Sequence, residues 1–406
     1  MLYKTASSYS IKTGLLLFSF LLSAQSAFEI SNPELQGMSS EKLKILNDAM
    51  HKFVDNNDIS AIQTAIVKNG KLIHFDSYGN SDISDQDSLE NDDIFRIASM
   101  TKPIVSVALM MLHEEGKFKL NDPVYKYIPE FKNLTVKKRK KTKPVKNHVK
   151  VVDLLRHSAG LNFRGPEDYR KTINLTLEEY TKEAVKDPLK FEPGTTWWYS
   201  YATDICGYLI EVLSGEKLDD FLKNRIFDPL EMNDTFFELP AKKLDRLTTL
   251  YVVGDNKELV SFDSKANTPF KDKVILLNGS GGLLSTTEDY LKFSLMLLNN
   301  GSYKGQQLLN KETLDLMKFD HSQGLKYKKL AFGKKKGFGL GFEVVKEDGT
   351  KFGSKGTFGW GGMFGTYFRV DPKQNMIMIY MTQSFETYKL KIADIFRAHV
   401  YESLIQ

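Results

Sequence analysis

Ile104, Val105, Ala108, Leu109, Met111 and Leu112 repeat apolar side chains at helical spacing, and a helix clothed this way must lie against a core. The feature constrains the chain most because of what stands at its opening end. There Ser99-Met100-Thr101-Lys102 follows Phe95-Arg96-Ile97-Ala98. Residues three apart share a helix face, so the Ser99 hydroxyl and the Lys102 amine are predicted to meet. Pro103 fits, since first-turn amides need no intrahelical acceptor. Those unpaired amides also favour negative charge developing beside Ser99. A hydroxyl next to an amine in this setting is the arrangement of an activated nucleophile.

The segments on either side set the fold class. Glu41 to Val54 carries Leu43, Leu46, Met50 and Phe53 on one face, an amphipathic helix. Strand-like runs Gln63 to Val67 and Leu72 to Phe75 follow, joined around Asn69-Gly70, a dipeptide that accepts positive φ in a tight hairpin. The middle of the chain reads as helices and long loops. Its clear helical segments are Val151 to Arg156, Leu177 to Val185, and Ala202 to Leu213 ending at Gly215. Ser285-Thr286-Thr287-Glu288 reads as a capping box opening a helix to Leu298. Strands then return. Gly339 to Val345 is expected to turn at Asp348-Gly349, and Gly365 to Val370 to pair with Met376 to Thr382 around Asp371-Pro372-Lys373. An amphipathic stretch from Tyr388 to Leu404 closes the chain. The expected architecture is α+β: an antiparallel sheet flanked by helices, built from residues 27–115 and 271–406, with a mainly helical domain, 116–270, inserted.

Residues 1–26 read as an export signal. Lys4 and Lys12 precede the apolar run Gly14 to Leu22, and Ala24-Gln25-Ser26 supplies small residues for cleavage near Ser26. The run is too short to span a bilayer comfortably, so the mature chain is expected to be periplasmic or secreted with no stable membrane span. Cys206, the single cysteine, excludes an intramolecular disulfide, and its apolar neighbours predict burial. Net charge is +5, and much of it sits in Lys137-Lys138-Arg139-Lys140-Lys141 with Lys143, Lys146 and Lys150. No aromatic side chain interleaves the run, so it reads as a solvated hairpin or loop and no nucleic-acid partner is expected.

Two further segments carry chemistry. Pro193-Gly194-Thr195-Thr196-Trp197-Trp198-Tyr199-Ser200-Tyr201 makes a turn over an aromatic cluster and leads at once into a helix. A tyrosine held there beside a lysine can pass protons to and from a serine. Phe358-Gly359-Trp360-Gly361-Gly362-Met363-Phe364-Gly365-Thr366 precedes a strand. Glycines this dense let a ligand approach the backbone, whose N–H groups can bind an oxyanion. Other chemistries lack their motifs. No Gly-x-Ser-x-Gly elbow, His-Glu-x-x-His pair, Walker loop or dinucleotide fingerprint occurs, and no metal or organic cofactor is expected. His157 reads as a structural loop histidine.

Taken in order, these segments resemble the serine β-lactamase and penicillin-binding superfamily, in its class C-like branch, over residues 35 to 402. Phe95 to Pro103 is similar to that branch's first motif, Leu154-Leu155-Arg156-His157-Ser158-Ala159-Gly160-Leu161 to its characteristic loop, and Tyr199-Ser200-Tyr201 to its second motif. Gly281 to Thr286 with Asp289 resembles a further shared segment. Two departures matter. Tyr201 stands where class C β-lactamases have Asn, and Trp360-Gly361-Gly362 stands where they have Lys-Thr-Gly. The Trp-x-Gly form resembles family VIII carboxylesterases. A lysine there attracts the carboxylate of lactams and D-Ala-D-Ala peptides, whereas Trp360 offers an apolar wall suited to neutral esters. Lys355, nearby in sequence, could compensate. The resemblance implies a β-lactamase/transpeptidase-like fold and a serine hydrolase that cleaves short-chain carboxylic esters through an acyl-enzyme on Ser99, with Lys102 and Tyr199 moving protons. It places the oxyanion on the N–H groups of Ser99 and Met363, and the small-molecule ester or amide substrate against Tyr201, Trp360, Gly361 and Gly362. D-Ala-D-Ala carboxypeptidase or weak β-lactamase activity, or a non-catalytic binding role on the same fold, are the alternatives.

Overall fold

The computed structural model describes residues 28–138, 141–162, 172–327, 335–348 and 353–405. The expected export signal and Gly349 lie outside them.

Strands from both ends of the chain meet in one eight-stranded antiparallel sheet. Its members are β1 (Ala61–Lys68), β2 (Lys71–Asp82), β3 (Asp87–Ser88), β6 (Lys336–Phe338), β7 (Glu343–Val345), β8 (Phe358–Gly362), β9 (Thr366–Asp371) and β10 (Met376–Met381). The strand order is β6-β7-β8-β9-β10-β1-β2-β3. Two further strands, β4 (Thr135–Lys138) and β5 (Lys141–Pro144), form a separate hairpin. The Asn69-Gly70 turn joins β1 to β2 with both residues at positive φ, 54° and 77°, as the dipeptide predicts.

Helices cover both faces of the sheet, so the central strand β10 is buried and apolar at every position, while its neighbours β1 and β9 also bury polar residues such as Gln63, Thr64 and Arg369. Met376, Met378 and Tyr380 of β10 face α1 (Ser40–Asp55) and α6 (Ile392–Glu402), joining Leu43, Leu46, Met50 and Phe396. Ile377, Ile379 and Met381, one residue out of phase, join the larger core that holds α2 (Thr101–Glu114) and α5 (Thr287–Leu298). Every residue of α2 from Thr101 to Leu112 is buried. The middle of the chain contributes α3 (Leu177–Ala184) and α4 (Ala202–Ser214), which packs on α2 and stops at Gly215 with φ 79°.

Three local expectations are corrected. The residue capping α5 is Thr286, whose hydroxyl accepts from Asp289 N–H, because Ser285 is engaged in a two-residue pairing with Phe95. Gly339 to Val345 is not one strand. Gly339 N–H donates to Phe342 O, closing a turn between β6 and β7, and Gly341 has φ 94°. A side chain at Gly341 would collide with Ser106 of α2, so this turn is shaped by its contact with the buried helix. The closing stretch breaks at Lys391, φ 57°, into a short 3-10 turn and α6.

Candidate active site

Ser99 occupies a 3-10 turn, Ala98–Met100, that runs directly into α2. Ala98 sits at φ 44°, a conformation L-residues rarely hold, at a cost of about 1–3 kcal/mol. The surroundings enforce it. Ile97 N–H donates to Leu283 O, and Ile97 O accepts from Thr366 Oγ1 at 3.0 Å. Ser99 is therefore held, partly exposed, between the 281–283 segment and the sheet.

Lys102 lies one turn along α2 and is buried. Its Nζ donates to Ser99 Oγ at 3.3 Å and to Ser280 O at 2.6 Å. It also stands 4.6 Å from the centroid of the Tyr199 ring. Tyr199 OH accepts from Trp360 Nε1 at 3.3 Å. Hydroxyl and amine from one turn and the aromatic ring from a distant stretch thus form one cluster, and Trp360, from a third stretch, ties the third motif to the second.

Beneath Tyr199 lies His157, with ring centroids 4.8 Å apart, and Trp197 and Phe338 close the cluster. Burial holds the His157 imidazole well below its ordinary pKa, and the charge of Lys102 adds to the effect. Its Nδ1 has no hydrogen-bond partner among the described residues. A neutral, packed ring agrees with the structural reading of this histidine.

Phe358 to Gly362 of the glycine-rich segment form strand β8, and a turn at Met363 to Gly365 leads into β9, the strand that the segment is expected to precede. Only Phe358 and Gly359 of β8 pair with β7, which leaves the Trp360–Gly362 edge open toward Ser99. Gly362 permits this closeness. A Cβ there would fall 2.5 Å from Ile97 O and 2.2 Å from Thr366 Oγ1. Met363 follows in the turn closed by Gly365 N–H donating to Gly362 O, and is 44% exposed at the cleft.

A cavity of about 480 Å³ opens beside Ser99 and Lys102. Its far wall is aromatic and aliphatic: Phe262, Phe270, Phe364, Phe385, Leu250 and Met363. Phe385 makes edge contacts with both Phe262 and Phe364, at 5.2 and 5.0 Å between centroids. Tyr199 and Trp360 stand outside this lining. Tyr201 contributes to its wall but is buried, and its hydroxyl donates to Ala184 O at 3.2 Å. Lys355 is exposed, away from the cavity, with its N–H on Asp348.

Asp204 escaped the sequence reading. It lies in the first turn of α4, is fully buried, and lines the cavity. Its Oδ1 accepts from Ser280 N–H at 2.8 Å, and Ser280 O is the acceptor of Lys102. Asp204 thereby fixes the peptide that holds the amine. Burial raises its pKa to about 6, against the opposing pull of Lys102. The signal available was a carboxylate five residues after Tyr199, among the buried Ala202, Ile205 and Cys206. The Cys206 thiol is likewise pushed up by burial, as its neighbours predict.

A family model described as Beta-lactamase matches residues 46–401, and the chain belongs to that family. Protein Rv1367c of Mycobacterium tuberculosis (strain ATCC 25618 / H37Rv) is 29% identical over 356 residues, covering 82% of this chain and 88% of that protein. A protein of Escherichia coli (strain K12) named "Putative D-alanyl-D-alanine carboxypeptidase" is 26% identical, covering 87% and 84%. Esterase EstB of Burkholderia gladioli is 24% identical, covering 79% and 84%. Among solved structures, that of EstCE1, a hydrolase with promiscuous acyltransferase activity, superposes with a TM-score of 0.74 at 22% identity, covering 89% of this chain and 98% of that one. The fold is thus that of the β-lactamase hydrolases, whose relatives here include esterase and carboxypeptidase-like proteins.

Proposed function

We propose that this protein hydrolyses carboxylic esters with apolar groups through an acyl-enzyme on Ser99. One observation carries the reading: Lys102 Nζ lies 3.3 Å from Ser99 Oγ at the mouth of an aromatic cavity. Lys102, in its neutral form, and Tyr199 take the Ser99 proton as Oγ bonds to the ester carbonyl carbon. The negative charge on the carbonyl oxygen is received by the N–H groups of Ser99 and Met363, each such donor lowering the barrier by about 2.7–4 kcal/mol. Collapse breaks the C–O bond, and the proton held by Lys102 and Tyr199 goes to the departing alkoxide. Water then repeats the sequence on the acyl-enzyme and releases the acid.

Esters are favoured over carboxylate-bearing peptides and lactams by the charges around the cleft. Arg96, the other basic side chain among the described residues lining it, is committed to Asp263 through Nε and Nη2 at 2.8 and 2.5 Å. Trp360 replaces the lysine that would attract a substrate carboxylate. Residues 1–26 make the enzyme an exported one in this proposal, checked by the N-terminal sequence of the mature protein.

A panel of p-nitrophenyl esters, nitrocefin and a D-Ala-D-Ala peptide tests the reading. Ester turnover is expected to exceed the other two. Ser99→Ala is expected to abolish it, a loss of roughly 10⁴–10⁶-fold, with the thermal unfolding transition nearly unchanged. Turnover that persists in this variant removes Ser99 as the nucleophile. Nitrocefin or peptide turnover above that of every ester reverses the substrate class.

A further inference from the structure

The lysine run has a structure that its expected role as a solvated hairpin does not explain. Strands β4 and β5 pair with Lys137 opposite Thr142 and Lys138 opposite Lys141, so two like charges are held directly across the ladder, an unfavourable placement. The root of the hairpin is fixed to the body: Val136 is buried, and Lys137 N–H and Thr135 O bond to Leu189. Lys137, Lys138, Lys141, Lys143 and Lys146 are all exposed. None of the five forms an ion pair with a described residue, while exposed lysines elsewhere do so, such as Lys182 with Glu178, Lys223 with Asp228 and Lys304 with Glu231.

The charge is also segregated along the chain. Residues 132–152 contain nine Lys and Arg and no Asp or Glu. Outside them 47 basic residues face 51 acidic ones, so the rest of the chain carries −4 and the whole of the positive balance sits here. At the foot of the hairpin a cleft of about 570 Å³ is lined by Lys146, His148, Lys150 and Arg156. Asp153, the one acid among the described residues lining it, is spent inside the protein. Asp153 accepts from Lys150 N–H, Arg156 Nη2 and Ser158 Oγ.

We infer that the hairpin and this cleft are a docking surface for an anionic phospholipid bilayer. Lysines without an ion pair to a described residue, on a narrow two-stranded ribbon tied to the body at its root, fit a plane of phosphates, and the cleft behind them has room for a headgroup. Single-stranded nucleic acid fits less well, since residues 135–144 of the sequence include no aromatic side chain on which bases stack. The surface is independent of the chemistry at Ser99.

Vesicle co-sedimentation of the full chain tests the inference, with phosphatidylglycerol-containing vesicles against pure phosphatidylcholine. The neutral vesicles subtract whatever the apolar residues 14–22 contribute. Binding is expected on the anionic vesicles only and is expected to fall as salt is raised. Replacing Lys137, Lys138, Lys141, Lys143 and Lys146 together by Gln is expected to weaken it roughly a hundredfold or more. Replacing the same five by Arg is expected to preserve it, which separates charge from fold. Ester turnover should be equal in all forms. Equal binding to both vesicle types, an undiminished Gln variant, loss in the Arg variant, or tighter binding to duplex DNA than to anionic vesicles at the same salt would each overturn it.

Discussion

Among the described residues, two basic side chains line the Ser99 cleft, and they are held in opposite ways. Arg96 is saturated: Asp263 takes it bidentately, Thr248 O accepts from Nη1 at 2.6 Å, and its backbone N–H donates to Gln383. It braces the segment that leads into Ser99. Lys102 instead has a carbonyl at 2.6 Å and the Ser99 hydroxyl at 3.3 Å, with the nearby carboxylate of Asp204 reaching it through the Ser280 peptide. A guanidinium locked to a carboxylate is structural. An amine whose neighbour is a hydroxyl is available for proton transfer, and the difference separates what builds this cleft from what acts in it.

Exchanging the two roles is the sharpest way to break the comparison. Lys102→Ala is expected to cut ester turnover about 10⁴-fold or more while shifting Tm little, because Lys102 acts as a unit with Ser99. Arg96→Ala is expected to do the reverse. It leaves Asp263 buried without its partner, costing about 3–5 kcal/mol by denaturant unfolding, with kcat of the folded fraction largely kept. Equal effects of both variants on kcat would erase the distinction. Tyr199→Phe follows, with an expected loss of about 10²–10⁴-fold in steady-state turnover. A loss under about threefold removes the phenol from the proton path.

Asp204 gives the smallest and most diagnostic effect. Its carboxyl titrates near 6 rather than 3.8, so it gains a proton as pH falls through about 6, and its negative charge near Lys102 is then lost. Turnover is expected to decline on that acid limb. Asp204→Asn, whose side-chain oxygen still accepts from Ser280 N–H, is expected to lose about tenfold in kcat at neutral pH, the scale of about 1.4 kcal/mol, and to lack the limb. The stability sign runs the other way. A carboxyl with a raised folded pKa carries no penalty below pH 3.8 and an increasing one between 3.8 and about 6. The Asn variant is therefore expected to be more stable at neutral pH, by up to about 3 kcal/mol. An acid limb unchanged in the variant assigns it to another group.

The contrast extends to what could be read from sequence. Ser99 and Lys102 were legible because helical spacing alone brings them together, and Asn69-Gly70 and Gly215 because positive φ has few solutions. The cap of α5 slipped by one residue because Ser285 is claimed by pairing with Phe95, a partner far away in the chain. Gly339 to Val345 read as one strand because nothing local reports that Ser106 of α2 presses on Gly341. Asp204 was hidden for the same reason, since its burial depends on Ser280 and Tyr180. The cavity wall draws Phe262, Phe270, Phe364 and Phe385 from three segments, each unremarkable on its own. Chemistry was written in short spacings, and the surface that would choose a substrate was written in tertiary contacts.

The central claim is that Ser99 is the group activated by Lys102. Intact-protein and peptide mass spectrometry after exposure to a fluorophosphonate ester tests it most directly. One adduct is expected per chain, on the peptide containing Ser99, absent in Ser99→Ala and strongly slowed in Lys102→Ala. A folded protein that takes no label, or takes it at any other residue, contradicts the account.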